Sequence, residues 1–479
     1  MSISRNTAYN LLGMVAPILV AIASIPIYIK LIGDQRYGVL SIAWIILGYF
    51  GVFDLGIGRA AAQRIAKLNK TDIVSKSQTF WTALFLNGGL GVVGGLILWP
   101  VAKYYFSQKF QIEESYRSEV MSALPWMMLA LPLATVTGVL TGALQGVEKF
   151  LQLNVINASG SILFQTLPLL AAWLWTPNLA VLMPVAISVR MLGIIFLFLV
   201  CNKEVAGRRS PSFKKLEVRE LLKFGGWITA SSFISPIMVM ADRFIIGAVL
   251  GSKAVTYYTV PFQLAERSTI LPTALSNSLF PYFAKNNSKV NQKMGCDAVR
   301  KLILIMTPIF VAAILVSKLF LTLWISPELA RHSNSVLQIL LLGFWINGFA
   351  RVPHAQLQAS GRPDVVAICH IVEVIPFIFV LYLGIHFGGL VGAATAFFLR
   401  LYIDFLLLAS QAGILKKNFA LLSVGFFLLL AALGLSQQSY SNIVMVYASA
   451  ILIVISMSWS VIYGPERLKN NIKNIFLRS

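Results

Sequence analysis

The sequence predicts an all-α polytopic membrane protein of about fourteen transmembrane helices, set out as two six-helix lobes plus two C-terminal helices. A deficit of charge, a regular succession of apolar runs and the confinement of Lys and Arg to alternate gaps lead to that fold class. Charged residues are 12% of the chain, hydrophobic residues 57%, and the mean hydropathy is +0.78. Soluble domains carry about a quarter charged residues, so this chain has too few to cover a surface in water. A span needs about 20 apolar residues and a short turn. The 479 residues hold about fourteen such units and leave none for a separate soluble domain.

Apolar runs place helices at 7–30, 38–58, 79–103, 120–144, 153–176, 179–201 and 225–250, then at 256–283, 302–325, 334–357, 364–386, 390–412, 421–436 and 443–463. The first carries Pro17 and ends at Gly33. Its opening, Arg5 followed by an apolar run and Ala21-Ile22-Ala23, imitates a secretory signal, but the run continues to Ile29, which favours an uncleaved helix. The fourth helix ends in Leu144-Gln145-Gly146 and the fifth carries Pro168. A basic segment, 202–224, follows the sixth and separates an N-terminal lobe, 1–201, from a C-terminal lobe, 225–412. The second lobe repeats features of the first at offsets of about 210–220 residues. Pro236 and Gly251 mark the seventh helix, Leu357-Gln358-Ala359-Ser360-Gly361 the end of the tenth, and Pro376 the eleventh. Parallel repeats of this kind are a common transporter plan. Residues 413–479 supply the last two helices and a basic tail. Small residues four apart, Gly91 and Gly95, then Gly138, Gly142 and Gly146, are expected to let helices approach closely.

With the N-terminus inside, 26 of the 39 Lys and Arg lie at cytoplasmic ends and loops, seven lie outside and six within helices. That bias puts both termini in the cytoplasm. The net charge of +21 does not point to nucleic acid, because the basic residues sit in short gaps between apolar runs rather than on one folded polar face. Membrane lipid headgroups are the expected basic-loop partners. Cys201, Cys296 and Cys369 are scattered, without metal spacing or a disulfide framework, and read as buried inert thiols. The longest outer loop, 104–119, with Glu113, Glu114, Arg117 and Glu119, reads as solvated.

Charges inside spans are costly and usually face a polar cavity or a partner. On the seventh helix Ser231, Ser235 and Asp242 share a face, with Arg243 beside them. The eighth aligns Gln263, Glu266, Thr273 and Asn277, with Arg267 adjacent. The tenth aligns Asn347, Arg351, His354 and Gln358, and the twelfth Arg400, Asp404 and Gln411. Arg190 lies midway along the sixth helix, Glu373 near the middle of the eleventh, and Lys318 in the outer half of the ninth. Two readings stand for these groups. Arg400 and Asp404, four apart, neutralise each other, Lys318 snorkels, and the stripes close into interhelical networks. Alternatively, the stripes of the seventh and eighth helices line a hydrated cleft. There, Arg243, Arg267, Arg190, Gln263 and Asn277 would bind an anionic substrate, for which guanidinium is suited. Asp242, Glu266, Glu373 and Asp404 would serve gating or ion coupling, and Asp54, Arg351 and Arg400 would line the cleft. No phosphate-binding glycine loop, metal-ligand cluster or nucleophile elbow is present, and no cofactor is expected.

The segment from Tyr37-Gly38 through Asp54-Leu55-Gly56-Ile57-Gly58 to Arg64 resembles the opening of bacterial polysaccharide flippases. Ala241-Asp242-Arg243-Phe244-Ile245-Ile246-Gly247, then Leu250-Gly251 and Tyr257-Tyr258, is similar to their seventh helix and its outer turn. The ends of the fourth and tenth helices match as well, and the resemblance covers essentially the whole chain. It implies the multidrug/oligosaccharidyl-lipid/polysaccharide exporter superfamily, with a central cleft lined by helices 1, 2, 7 and 8. The implied substrate is an undecaprenyl-diphosphate-linked oligosaccharide repeat unit, turned across the bacterial cytoplasmic membrane for O-antigen, capsule or exopolysaccharide. Polymerase and chain-length proteins of the same pathway are the implied partners. A multidrug or lipid II exporter of the same superfamily is the alternative; from another class, a membrane polysaccharide polymerase or ligase would span as often but needs a sizeable catalytic outer loop.

Overall fold

The computed structural model describes residues 3–49, 56–69, 71–214, 218, 234–438 and 443–464, and among these there is no strand. A 47-residue helix would run about 70 Å if straight, more than twice the hydrocarbon thickness. The first helix, α1 (Ile3–Tyr49), therefore folds at Gly33, whose φ of 80° a side-chain-bearing residue rarely adopts. Its two arms lie side by side, with the Tyr28 and Trp44 rings 5.4 Å apart.

Gly56 turns the chain again into α2 (Ile57–Lys67). Asp72 then caps α3 (Ile73–Tyr104) by accepting from the Ser75 N–H at 3.0 Å. The Ser75 backbone and hydroxyl hold the Asp72 carboxyl below the usual carboxylate range. Next come α4 (Glu114–Gly146), α5 (Phe150–Leu174) and α6 (Leu179–Glu204), the last capped by Asn178. The glycine stripe works as expected: a Cβ on Gly142 would run into the Gly58 carbonyl, and one on Gly91 into Thr135, so α4 packs at backbone distance on α2 and α3.

The expected seventh helix is described from Ile234, as α7 (Ile234–Val249), and the eighth is broken in two, α8 (Ser252–Arg267) and α9 (Ile270–Lys285). At the break the Ser268 and Thr269 hydroxyls donate to the Ala265 and Glu266 carbonyls, and Pro272 follows. Then come α10 (Ser288–Trp324), capped by Asn287, and α11 (Pro327–Ala359), capped by Ser326 with Pro327 at its first position. The 49-residue α12 (Pro363–Gln411) folds at Gly389, so the eleventh and twelfth spans are the arms of one hairpin. Gly384 and Gly392 face each other there so closely that neither has room for a Cβ. The last two are α13 (Leu415–Ser436) and α14 (Ile443–Ile462).

Among the described residues, ten helical segments are long and apolar enough to cross a membrane. Dividing α1 and α12 at their glycines, and adding α7 and the α8–α9 pair, reaches the fourteen spans read from the sequence. Large apolar side chains such as Trp175, Leu323 and Phe387 stand exposed on these helices, as lipid-facing residues do. Two compact units emerge, Met1–Thr256 and Tyr257–Ser479, so α7 belongs to the first. In the second, Gln338 of α11 donates to Ser317 of α10 at 3.0 Å and to Ser436 of α13 at 2.9 Å, a buried polar node. The basic segment 202–224 starts within the first unit, where Lys214 meets Thr82 and Gln78 of α3; most of the remainder lies outside the described residues.

Candidate functional site

The 104–119 segment is solvated along half its residues, as expected, yet it is ordered and anchored by a few buried side chains. After α3 the chain makes a π-helical turn, Tyr105–Lys109, that buries Phe106 and Phe110. Tyr105 donates to the Phe244 carbonyl at 2.6 Å, the Gln111 N–H to Gly247 at 3.0 Å, and the Ser252 N–H back to Gln111 at 2.9 Å. Phe110 lies against Gly247, where a side chain would collide with the ring. The segment is thus bonded to the end of α7.

The same corner collects the first unit's other turns. Arg36, just past the Gly33 bend, makes a two-pronged pair with Glu119 at 2.6 and 2.8 Å, and Glu119 also accepts from the Leu179 N–H at 3.2 Å. Gln35 donates to Glu113, Lys253 pairs with Asp34 at 3.4 Å, and Thr256 donates to the Asp34 carbonyl. Gly38 lies so close to Ser252 that a Cβ would strike its carbonyl. The bend of α1, the 105–119 segment, the start of α6 and the α7–α8 turn form one latch. Sequence reasoning missed it, although Arg36 and the glutamates around it were legible as charges of opposite sign.

Asp242 and Arg243 are fully buried and bonded to each other, with Arg243 Nη1 donating to both Asp242 oxygens at 2.6 and 2.7 Å. The rest of the seventh-helix stripe, Ser231 and the Ser235 side chain, lies outside the described residues, as does Asp54. The eighth-helix stripe is divided by the 268–269 break. Gln263, Glu266 and Arg267 are partly buried near the end of α8, while Asn277 is exposed on α9. The buried Nε of Arg267 has no hydrogen-bond partner among the described residues.

In the second unit, charges of α11 and α12 converge. Asp404 takes His370 as its partner at 3.4 Å, whereas Arg400 lies over the Phe377 and Phe397 rings at 5.3 and 5.7 Å. Glu373 is buried within electrostatic reach of both Asp404 and Arg400. The His354 ring stacks on His370 at 6.1 Å and Gln358 lies 3.5 Å from His354; Arg351 is exposed. Two acids, one guanidinium and two imidazoles therefore share one interior, and His370 is the member that sequence reasoning passed over. Its spacing of three from Glu373 was the available signal. Lys318 is exposed, as a snorkelling residue is. Arg190 lies over the Phe164 ring at 4.9 Å.

Fourteen spans, paired charges in helix interiors and glycine hairpins define a polytopic membrane protein with a transporter fold. A family model described as polysaccharide biosynthesis protein matches residues 3–287, and the chain belongs to that family. A second model, MatE, matches residues 228–383. The chain is 28% identical over 414 residues to a Shigella flexneri protein named "Putative O-antigen transporter", covering 85% of this chain and 97% of that one. It is 21% identical to the lipopolysaccharide biosynthesis protein WzxC of Escherichia coli K12, over 79% of this chain and 74% of that one. In fold it is similar to the lipid II flippase MurJ in an inward closed conformation, with a TM-score of 0.74, 13% identity and coverage of 94% and 98%. An inward-facing multidrug resistance MATE family transporter of the MOP superfamily follows at 0.66, with 14% identity over 85% of this chain and 99% of that one. The resemblance to the superfamily's polysaccharide flippases thus holds.

Proposed function

We propose that the protein turns an undecaprenyl-diphosphate-linked oligosaccharide repeat unit from the cytoplasmic to the outer leaflet of a bacterial cytoplasmic membrane, for O-antigen or a related polymer. The observation that carries this is the family match together with a relative, named for O-antigen transport, that aligns over 97% of its own length. Partly buried guanidinium groups, Arg190 within α6 and Arg267 at the end of α8, support an anionic cargo. The lipid tail stays in the bilayer while the polar head crosses by alternating access. On this reading the latch is the outer closure, both termini are cytoplasmic, and 202–224 joins two six-helix lobes. Asp242 holds Arg243 in place, and Glu373 with Asp404 and His370 carries the coupling ion.

Deletion of the gene tests the transport step. The expected result is loss of surface polymer and accumulation of the undecaprenyl-diphosphate-linked repeat unit on the cytoplasmic face. Unchanged surface polymer would overturn the reading. Arrest of growth with accumulated lipid II would instead assign the protein to peptidoglycan precursor export, and drug sensitivity with normal polymer to multidrug export.

A further inference from the structure

Arg190 sits 11 residues from the Leu179 end of α6, Phe164 ten from the Leu174 end of α5, and Trp44 11 from the Gly33 bend. At 1.5 Å per residue each lies about 15–17 Å from the same end of the first unit, near the middle of a hydrocarbon core about 30 Å thick. The three touch in series. The Trp44 and Phe164 rings meet edge-to-face at 5.7 Å, and the Arg190 guanidinium lies over the Phe164 ring at 4.9 Å. Tyr28 buttresses Trp44 and is held by its hydroxyl, which donates to the Gln165 carbonyl at 2.7 Å.

The polar inventory of this group is lopsided. The Nε of Arg190 and the Nε1 of Trp44 are both buried and have no hydrogen-bond partner among the described residues. Among the described residues no carboxylate pairs with Arg190, whose guanidinium lies over the Phe164 face. Indole and guanidinium are donors only, and a buried donor without an acceptor is costly. A cation at this depth without an anion is costlier still. Two donors and no acceptor on one ring are complementary to a negative, acceptor-only group, which a guanidinium binds with two parallel hydrogen bonds. The adjacent Phe164 and Trp44 rings lower the local polarity, which strengthens that attraction.

We propose that Trp44, Phe164 and Arg190 form an oxyanion subsite midway through the first unit, which holds a phosphate or carboxylate of the lipid-linked sugar. The proposal rests on the flippase reading for its cargo and assigns it a contact that includes two residues, Trp44 and Phe164, with no charge to announce them.

Binding of two probes to the purified full-length protein in lipid nanodiscs tests it, with geraniol and octyl glucoside as uncharged controls. Geranyl diphosphate represents the phosphate and octyl glucuronide the carboxylate. Arg190→Gln is expected to weaken one of them by about ten- to a hundredfold, as loss of a charge-assisted hydrogen bond does. Arg190→Lys should recover part of that loss, and Trp44→Phe, which keeps the ring and removes the N–H, should weaken it severalfold. Loss confined to geranyl diphosphate makes the carrier's phosphate the ligand; loss confined to octyl glucuronide makes it an acidic sugar. Equal affinity of wild type and Arg190→Gln for both probes, at equal thermal stability, overturns the subsite, as does failure of wild type to bind either. The gene deletion decides the flippase reading separately, so a failed subsite and a failed transport assignment give different results.

Discussion

At the scale of single residues, the most informative feature is how each interior charge is compensated. Asp242 and Arg243 form a dry pair of chain neighbours with both side chains at 3% exposure or less. Removing one member of such a pair leaves a buried charge and costs about 3–5 kcal/mol. Asp242→Ala should therefore lower the melting temperature in detergent sharply, whereas Asp242→Ala with Arg243→Leu recovers most of the loss. If the single and double variants melt together, the pair is not the reason for the acid. On α12, Asp404 lies beside His370 and Arg400 over two phenylalanines, with Glu373 within electrostatic reach of both Asp404 and Arg400. An imidazole bears charge only when protonated. A coupling role for Asp404 and Glu373 predicts that Asp404→Asn and Glu373→Gln lose surface polymer while protein levels in the membrane are kept. Wild-type output from both would remove them from the coupling step.

Elements are shaped by where the backbone must approach or bend. Gly142 sits on the Gly58 carbonyl, so Gly142→Leu should separate α4 from α2 at a cost of about 1–3 kcal/mol, read as a lower thermal midpoint. Gly160 has open space beside it, and Gly160→Leu is the matched control with little effect. The latch joins elements through Arg36 and Glu119. A double-mutant cycle of Arg36→Ala and Glu119→Ala should show a coupling energy of about 0.5–3 kcal/mol in thermal unfolding. Strict additivity would mean that the pair is incidental. The hairpins of α1 and α12 were legible as pairs of spans, since each apolar stretch exceeds one bilayer and contains a glycine at its turn. The break inside the eighth span was less so. Serine and threonine hydroxyls at 268 and 269 bond their own helix carbonyls, and such local competition has no signature in an apolar run.

For the whole molecule, orientation is the open axis, and the native cysteines make it accessible. Cys201, Cys296 and Cys369 are all buried, so background labelling should be low. Lys109→Cys should react with a membrane-impermeant thiol reagent applied to spheroplasts, whereas Arg209→Cys should react only after permeabilisation. The reverse pattern would invert the topology and with it the direction of transport.

By itself the sequence determined the fold class, the number of spans and the family, because hydrocarbon imposes length, charge exclusion and glycine placement locally along the chain. Asp242 and Arg243 were legible as a pair because they are chain neighbours. What only the tertiary structure decided is which distant groups meet. Glu119 on Arg36 and on the start of α6, Asp404 on His370, and the aromatic walls around Arg190 come from residues between 26 and 146 positions apart. Those contacts follow from helix packing, which brings side chains to one depth irrespective of their separation along the chain. The fourteen-span pattern told where the charges could sit; the packing of the spans chose their partners.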